Sequence, residues 1–156
     1  MRRRSLILIA ASVPWPLRAL AHHGWSGFDQ DRPLYLEGKV GKVAWTNPHV
    51  ELMLELAPDL KLPPDLARRA VPAQAAAVDA PKLLAAAQLP TRRDRVWEIE
   101  LAPLTRMEAW KVAPIQVGES VAVLGFAAPG EKGDPVLRAE YLFAAGKAYG
   151  LRSSPA

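Results

Sequence analysis

Alternation with a period of two constrains this chain more than any other feature. His49 to Leu56 reads HVELMLEL, with Val50, Leu52, Leu54 and Leu56 on one side and His49, Glu51, Met53 and Glu55 on the other. That is the pattern of a half-buried β-strand. Leu34 to Trp45 predicts a longer strand whose phase slips. Leu34, Leu36 and Val40 share one side, Val43 and Trp45 the other, and Gly38 and Gly41 lie between. Such a slip predicts a bulge or a sharp coil. Thr46-Asn47-Pro48 is a turn, so the two strands form a hairpin.

The same reading predicts strands at Val96–Leu101, Ser120–Ala127, Val136–Ala144 and Ala148–Arg152. Pro103–Ala113 predicts a short helical link, with Leu104, Met107 and Trp110 as its inner stripe. The order is strand, strand, insertion, strand, short helix, strand, strand. We therefore expect an all-β fold: a small five- to six-stranded barrel of the oligonucleotide/oligosaccharide-binding (OB) type, with one helix between strands three and four. Closure removes the bare edges that short strands otherwise expose.

Residues 57–94 break the pattern. They hold eleven Ala and six Pro, with no aromatic residue and no Gly. Asp65–Ala70 and Pro81–Leu89 are candidate short helices, and Pro81 suits a first turn. The expectation is a tolerated, partly mobile excursion at a hairpin tip, with a functional lid as the other reading.

Charge decides what the chain does not bind. The 156 residues carry 20 basic and 16 acidic side chains. Four of the basic ones, Arg2, Arg3, Arg4 and Arg18, lie within residues 1–21, where there is no acid, so the remainder is balanced. A nucleic-acid domain needs a basic face, and composition supplies none. Residues 1–21 instead have the form of a cleaved secretory signal. A basic start precedes an apolar run from Leu6 to Val13, and Ala19-Leu20-Ala21 offers a small-x-small cleavage site. Arg2–Arg4 before Ser5 also resembles a twin-arginine signal loosely, so the export route stays open. The expected layout is a signal at 1–21, one barrel domain at 22–152 and a tail at 153–156. The expected location is periplasmic or secreted. No run reaches the length of a membrane span. The absence of cysteine excludes disulfides, thiolate metal sites and cysteine nucleophiles.

Cleavage after Ala21 would make His22 the first residue of the mature chain. A free amine beside an imidazole chelates metal in a way that an internal histidine does not. His22, His23 and His49 are the only histidines. An amine and two imidazoles form a histidine brace, a nitrogen set that favours copper in the Irving–Williams order. Met53 and Met107 are candidate thioether ligands for Cu(I). The plain alternative is a mobile terminal His-His and a His49 that caps its turn.

Trp25 and Trp110 are candidates for a binding surface or for core, whereas Trp45 and Trp97 belong to the core. Arg106 is a candidate anion contact or an ion-pair partner of Glu98 or Glu100. A metal-free domain binding a peptide, glycan or partner protein through exposed aromatics is the competing function. Catalytic signals are thin. Ser26, His23 and Asp29 lack a nucleophile elbow, no phosphate loop is present, and Glu98 and Glu100, about 7 Å apart on one strand face, have the ordinary solvated pattern. A hydrolase would require a cleft holding His and carboxylate together.

Several of these pieces, in order, resemble an uncharacterised family of small exported proteobacterial proteins, a domain of unknown function. They are His22-His23-Gly24-Trp25 with Phe28-Asp29, Leu34–Val43, Trp45-Thr46-Asn47-Pro48-His49, Trp97-Glu98, Arg106-Met107, Gly118-Glu119-Ser120-Val121 and Arg138-Ala139-Glu140. The resemblance spans most of residues 22–152 outside the insertion. It implies export and a small β-barrel, and it implies no activity.

Overall fold

The computed structural model describes residues 24–156, so the expected signal, His22 and His23 lie outside the described residues. Among the described residues six strands form: β1 (Leu34–Ala44), β2 (Glu51–Leu56), β3 (Val96–Glu100), β4 (Ser120–Phe126), β5 (Val136–Ala144) and β6 (Lys147–Gly150). β1 pairs antiparallel with β2 and β4, β2 with β3, and β4 with β5. A parallel seam between β3 and β5 then closes a five-stranded barrel, through Glu98↔Val136, Ile99↔Leu137 and Glu100↔Arg138. β6 extends the outer half of β5. Helix α2 (Leu104–Ala109) lies between β3 and β4, as an OB-type barrel requires.

The phase slip in β1 has a clear physical reading. The register with β2 shifts between Val40 and Lys42, so the extra residue is Gly41. A bulge turns the following side chains over. Leu34, Leu36 and Val40 before it and Val43 and Trp45 after it therefore all pack on the same core. Gly38 serves a different need. A Cβ there would land on the carbonyl oxygen of Glu55, so β1 and β2 approach closely only because the side chain is absent. Trp97, Ile99, Leu101 and Met107 complete the barrel interior.

The 57–94 segment is inserted between the antiparallel strands β2 and β3, as expected, but it does not stand away from the barrel. It lies back along the outside of β1, β4 and β5. Leu66, Leu84 and Ala87 pack on Tyr35, Leu124 and Tyr141 as a second buried apolar cluster. Gln88 bonds the backbone on either side of Leu34: Tyr35 N–H donates to its carbonyl at 2.8 Å, and its own N–H donates to Pro33 O at 2.9 Å. The segment forms a 3-10 turn at Leu66–Arg68 and the helix α1 (Ala80–Ala85), which Asp79 caps by accepting from Lys82 N–H. Each leucine buried this way contributes roughly 1.5–3 kcal/mol.

One carboxylate sets the start of the closing seam. Glu131 stands five residues before β5, at φ 52°, and its side chain is 2 % exposed. It accepts from Thr91 N–H (2.9 Å), Thr91 Oγ1 (3.0 Å), Arg92 N–H (3.1 Å) and the Arg32 guanidinium (2.6 Å). Arg92 answers by donating to the carbonyls of Glu131 (2.8 Å) and Gly133 (2.9 Å). The chain before β3 and the chain before β5 are thereby held side by side. Burial alone would raise this carboxyl, but the Thr91 and Arg92 N–H groups and Arg32 together outweigh burial and hold it at about 2.

A group depressed on folding stabilises the fold above its unfolded pKa, and the contribution is lost as pH falls through the folded value. Glu131→Gln should therefore cost about 2–3 kcal/mol near neutral pH by urea denaturation. The gap to wild type should close between about pH 4.5 and about pH 2; a gap that stays constant across that window would contradict the clamp. Gly38→Ala should cost at least about 2 kcal/mol, because the strand backbone must move to admit the methyl group. An unchanged denaturation midpoint would show that β1 and β2 do not meet as described.

Candidate functional site

The turn at Trp25–Gly27 brings the start of the described chain onto one end of the barrel. Asp29 N–H donates to Ala127 O at 2.9 Å, fixing this segment beyond the end of β4. The Trp25 ring then meets Phe126 edge-on, with centroids 6.2 Å apart. Two guanidiniums stack on the same indole, Arg152 at 4.0 Å and Arg138 at 5.0 Å from the centroid. The negative face of an indole attracts cations, so Trp25 fastens the segment to Arg138 in β5 and to Arg152 just beyond β6.

Arg138 is the hub. Its side chain is 10 % exposed and pairs with Glu100 at 3.4 Å across the β3–β5 seam. Its Nη2 lies 3.1 Å from His49 Nε2. A guanidinium has donors only, so in this contact Nε2 is the acceptor. Burial lowers the Arg138 pKa, Glu100 opposes that, and Arg106 and Arg152 lower it further by repulsion. Three cationic side chains therefore crowd this end of the barrel.

A second buried network carries the cluster to the insertion. Glu140 is fully buried; Arg152 donates to it at 2.7 Å and Gln74 Nε2 at 3.0 Å. Burial raises the Glu140 carboxyl, and Arg152 and Gln74 oppose it. Gln74 Oε1 in turn accepts from Ser153 N–H at 3.1 Å. Gln74, in the insertion, thus braces the arginine that covers Trp25.

Of the candidate residues singled out from sequence, His49, Trp25, Arg106 and Trp110 converge here. His49 and Trp25 share Arg138. Arg106 donates to Leu151 O at 3.0 Å, and Trp110 Nε1 to Ser153 O at 2.8 Å, so both hold the segment that carries Arg152. The expected pairing of Arg106 with Glu98 or Glu100 is replaced by that bond, and Arg138 takes Glu100. Trp25 and Trp110 are half-buried, and both are engaged within the chain. Met107 is buried in the core, away from any thioether role, while Met53 stays on the outer face of β2 opposite Glu98. Glu98 is raised by burial and then by Glu51, Glu100 and Asp134. Among the described residues, no group of three His, Asp or Glu side chains is gathered tightly enough to hold a metal, and no helix is long and apolar enough to cross a membrane. Asn47 accepts from Leu104 N–H at 3.1 Å, joining the turn before His49 to the start of α2.

Sequence reasoning missed Arg152 and Gln74 as parts of the site, and it named Arg138 and Glu140 only within the family resemblance. The available signal was two charged residues in β5, whose other positions are almost all apolar.

With this geometry in place, comparison with known proteins adds one finding. A family described as "Family of unknown function (DUF6152)" matches residues 9–60. That span holds all three histidines and Trp25, and it stops short of Arg106, Trp110, Arg138 and Arg152. The match supports an uncharacterised domain. No curated protein and no solved structure matches the chain significantly.

Removing Arg152 should expose the cost of the buried network. Arg152→Met should destabilise the fold by roughly 3 kcal/mol, because it leaves a buried carboxylate without its cation. Adding Glu140→Gln should recover a substantial part of that loss in the same denaturation assay. No recovery would show that Arg152 acts through Trp25 rather than through Glu140.

Proposed function

We propose that the chain is an exported, non-enzymatic binding module that holds a copper ion with its amino-terminal histidines and His49. In this reading residues 1–21 are removed on export. The mature chain then begins at His22, whose amine and imidazole bind as a chelate, with His49 or His23 supplying the next nitrogen.

One observation supports this above the rest. Trp25 stacks on Arg138, and Arg138 bonds His49. The segment that follows the two terminal histidines is therefore anchored beside the third. Three Cα–Cα steps lead from Trp25 back to His22, a reach of at most about 10 Å. An amine with two imidazoles is a nitrogen set suited to Cu(II). A metal-free module using Trp25 and Trp110 as its contact surface has less support, since both indoles are already engaged within the chain.

The test uses protein exported to a periplasm, with the terminus confirmed by intact mass. Cu(II) and Zn(II) are titrated into wild type and His49→Ala. Sub-micromolar 1:1 copper binding that weakens at least tenfold in the variant, or about 1.4 kcal/mol, is the expected result. Placing one alanine before His22 should weaken it as well, by turning the amine into an amide. Weak binding, indifferent to both changes, would overturn the reading.

A further inference from the structure

We propose that Glu140 is a protonation latch: ionised, it holds Arg152 over Trp25 and Gln74 against the barrel, and on taking up a proton it lets both go. The amino-terminal turn and residues 73–76 then loosen together while the barrel stays closed. The latch goes beyond the metal reading and needs none of its ligands.

The register of β5 aims the side chain. Leu124 pairs with Tyr141 and Gly125 with Ala139, so Glu140 is the extra residue of a bulge. A bulge re-aims a side chain, and this one buries the carboxylate fully between Gln74 of the insertion and Arg152 beyond β6. Every polar contact there is a donor. Arg152 Nε and Nη2 both reach Oε2 at 2.7 Å, and Gln74 Nε2 reaches Oε1 at 3.0 Å. A carboxylate accepts all three, whereas a carboxylic acid carries a proton that needs an acceptor of its own. Gln74 can offer one only by turning its amide over. Ser153 N–H, which donates to Gln74 Oε1 at 3.1 Å, then faces an NH2 group. That bond holds residues 73–76 on the chain beyond β6, together with Ala75 N–H on Ser154 O (2.9 Å) and Ala76 N–H on Ser153 Oγ (2.8 Å).

Arg152 can swing outward once the charge beside it is gone. Its side chain is 22 % exposed, against 0 % for Glu140. Its other partners are uncharged: the Trp25 ring at 4.0 Å, the Phe126 ring at 6.0 Å and Gln30 Oε1 at 2.9 Å. Arg138, in the same strand as Glu140, repels it. The remaining surroundings do not titrate against the latch. Tyr141 also feels Glu140, but burial pushes its hydroxyl upward and keeps it neutral. Gln74 is neutral, and β4 and β6 present Gly125 and Gly150 here. Burial raises the Glu140 carboxyl while Arg152 and Gln74 oppose it, so the proton is taken up above the ordinary carboxylate value. A carboxyl raised on folding binds its proton more readily in the fold than in the open chain. Uptake therefore favours a local rearrangement over unfolding.

Carbon and nitrogen NMR on the metal-free protein, from pH 8 to pH 4, tests this. The Glu140 carboxyl carbon, the Trp25 indole N–H and the Gln74 amide should move with one shared midpoint above about 4.5. On the acid side, Ser153 and Ala75 N–H should exchange with solvent at least tenfold faster relative to their intrinsic rates. Glu140→Gln has no charge to give up, so it should show the acid-form Trp25 signal and the faster exchange already at pH 8. His49 titrates in both proteins, so a step that persists in Glu140→Gln belongs elsewhere, and finding the whole Trp25 step there would overturn the latch. Should the variant not fold, the wild-type titration decides alone. Coincident midpoints uphold the proposal; separate midpoints, or a Glu140 still ionised at pH 4, sink it.

Discussion

The parallel contact between β3 and β5 turns a curled sheet into a closed barrel, and it is short: three residue pairs. Antiparallel neighbours joined by a turn find their register locally, whereas parallel strands do not. Here the register is supplied from outside the strands. Glu131 grips Thr91 and Arg92, and each partner sits the same few residues ahead of its strand. Arg32, just before β1, enters the same grip. One buried carboxylate thus aligns the approaches to three strands, and its several donors offset the cost of burying its charge.

The two ends of that seam divide the labour. The Glu131 end is fully compensated and structural. The other end carries Glu100, Arg138 and His49, where positive charge is crowded and an imidazole lies against a guanidinium. A barrel closed firmly at one end can hold a strained electrostatic arrangement at the other, because the backbone there has little freedom to relax. This is why the seam, rather than either strand alone, positions the candidate site.

Much of the barrel is legible in the sequence because alternation is a local property. The slip around Gly38 and Gly41, the hairpin at Asn47-Pro48 and β5 at Val136–Ala144 are all read from neighbouring residues. The packing of 57–94 is not, since Leu66, Leu84 and Ala87 are irregularly spaced among prolines and match no single period. A subtler sign was present on the barrel side. Tyr35, Leu124 and Tyr141 are apolar in the outward phase, and strands apolar in both phases are covered on both faces. At the site, His49, Trp25, Arg106 and Trp110 are recognisable by residue type. Arg152 and Gln74 are not, because what they do depends on a buried Glu140 that only the folded chain brings to them.

Arg152 reaches back to Trp25 and to Gln30, a partner 122 positions earlier in the chain. The stretch around Trp25 is thus clasped by a residue that emerges from the ribosome long after it. A nascent chain released only as far as β4 has no clasp for Trp25. Trp25 is held in place only once β5, β6 and Arg152 have followed, so the order of synthesis itself delays assembly of this end of the barrel until the sheet has closed.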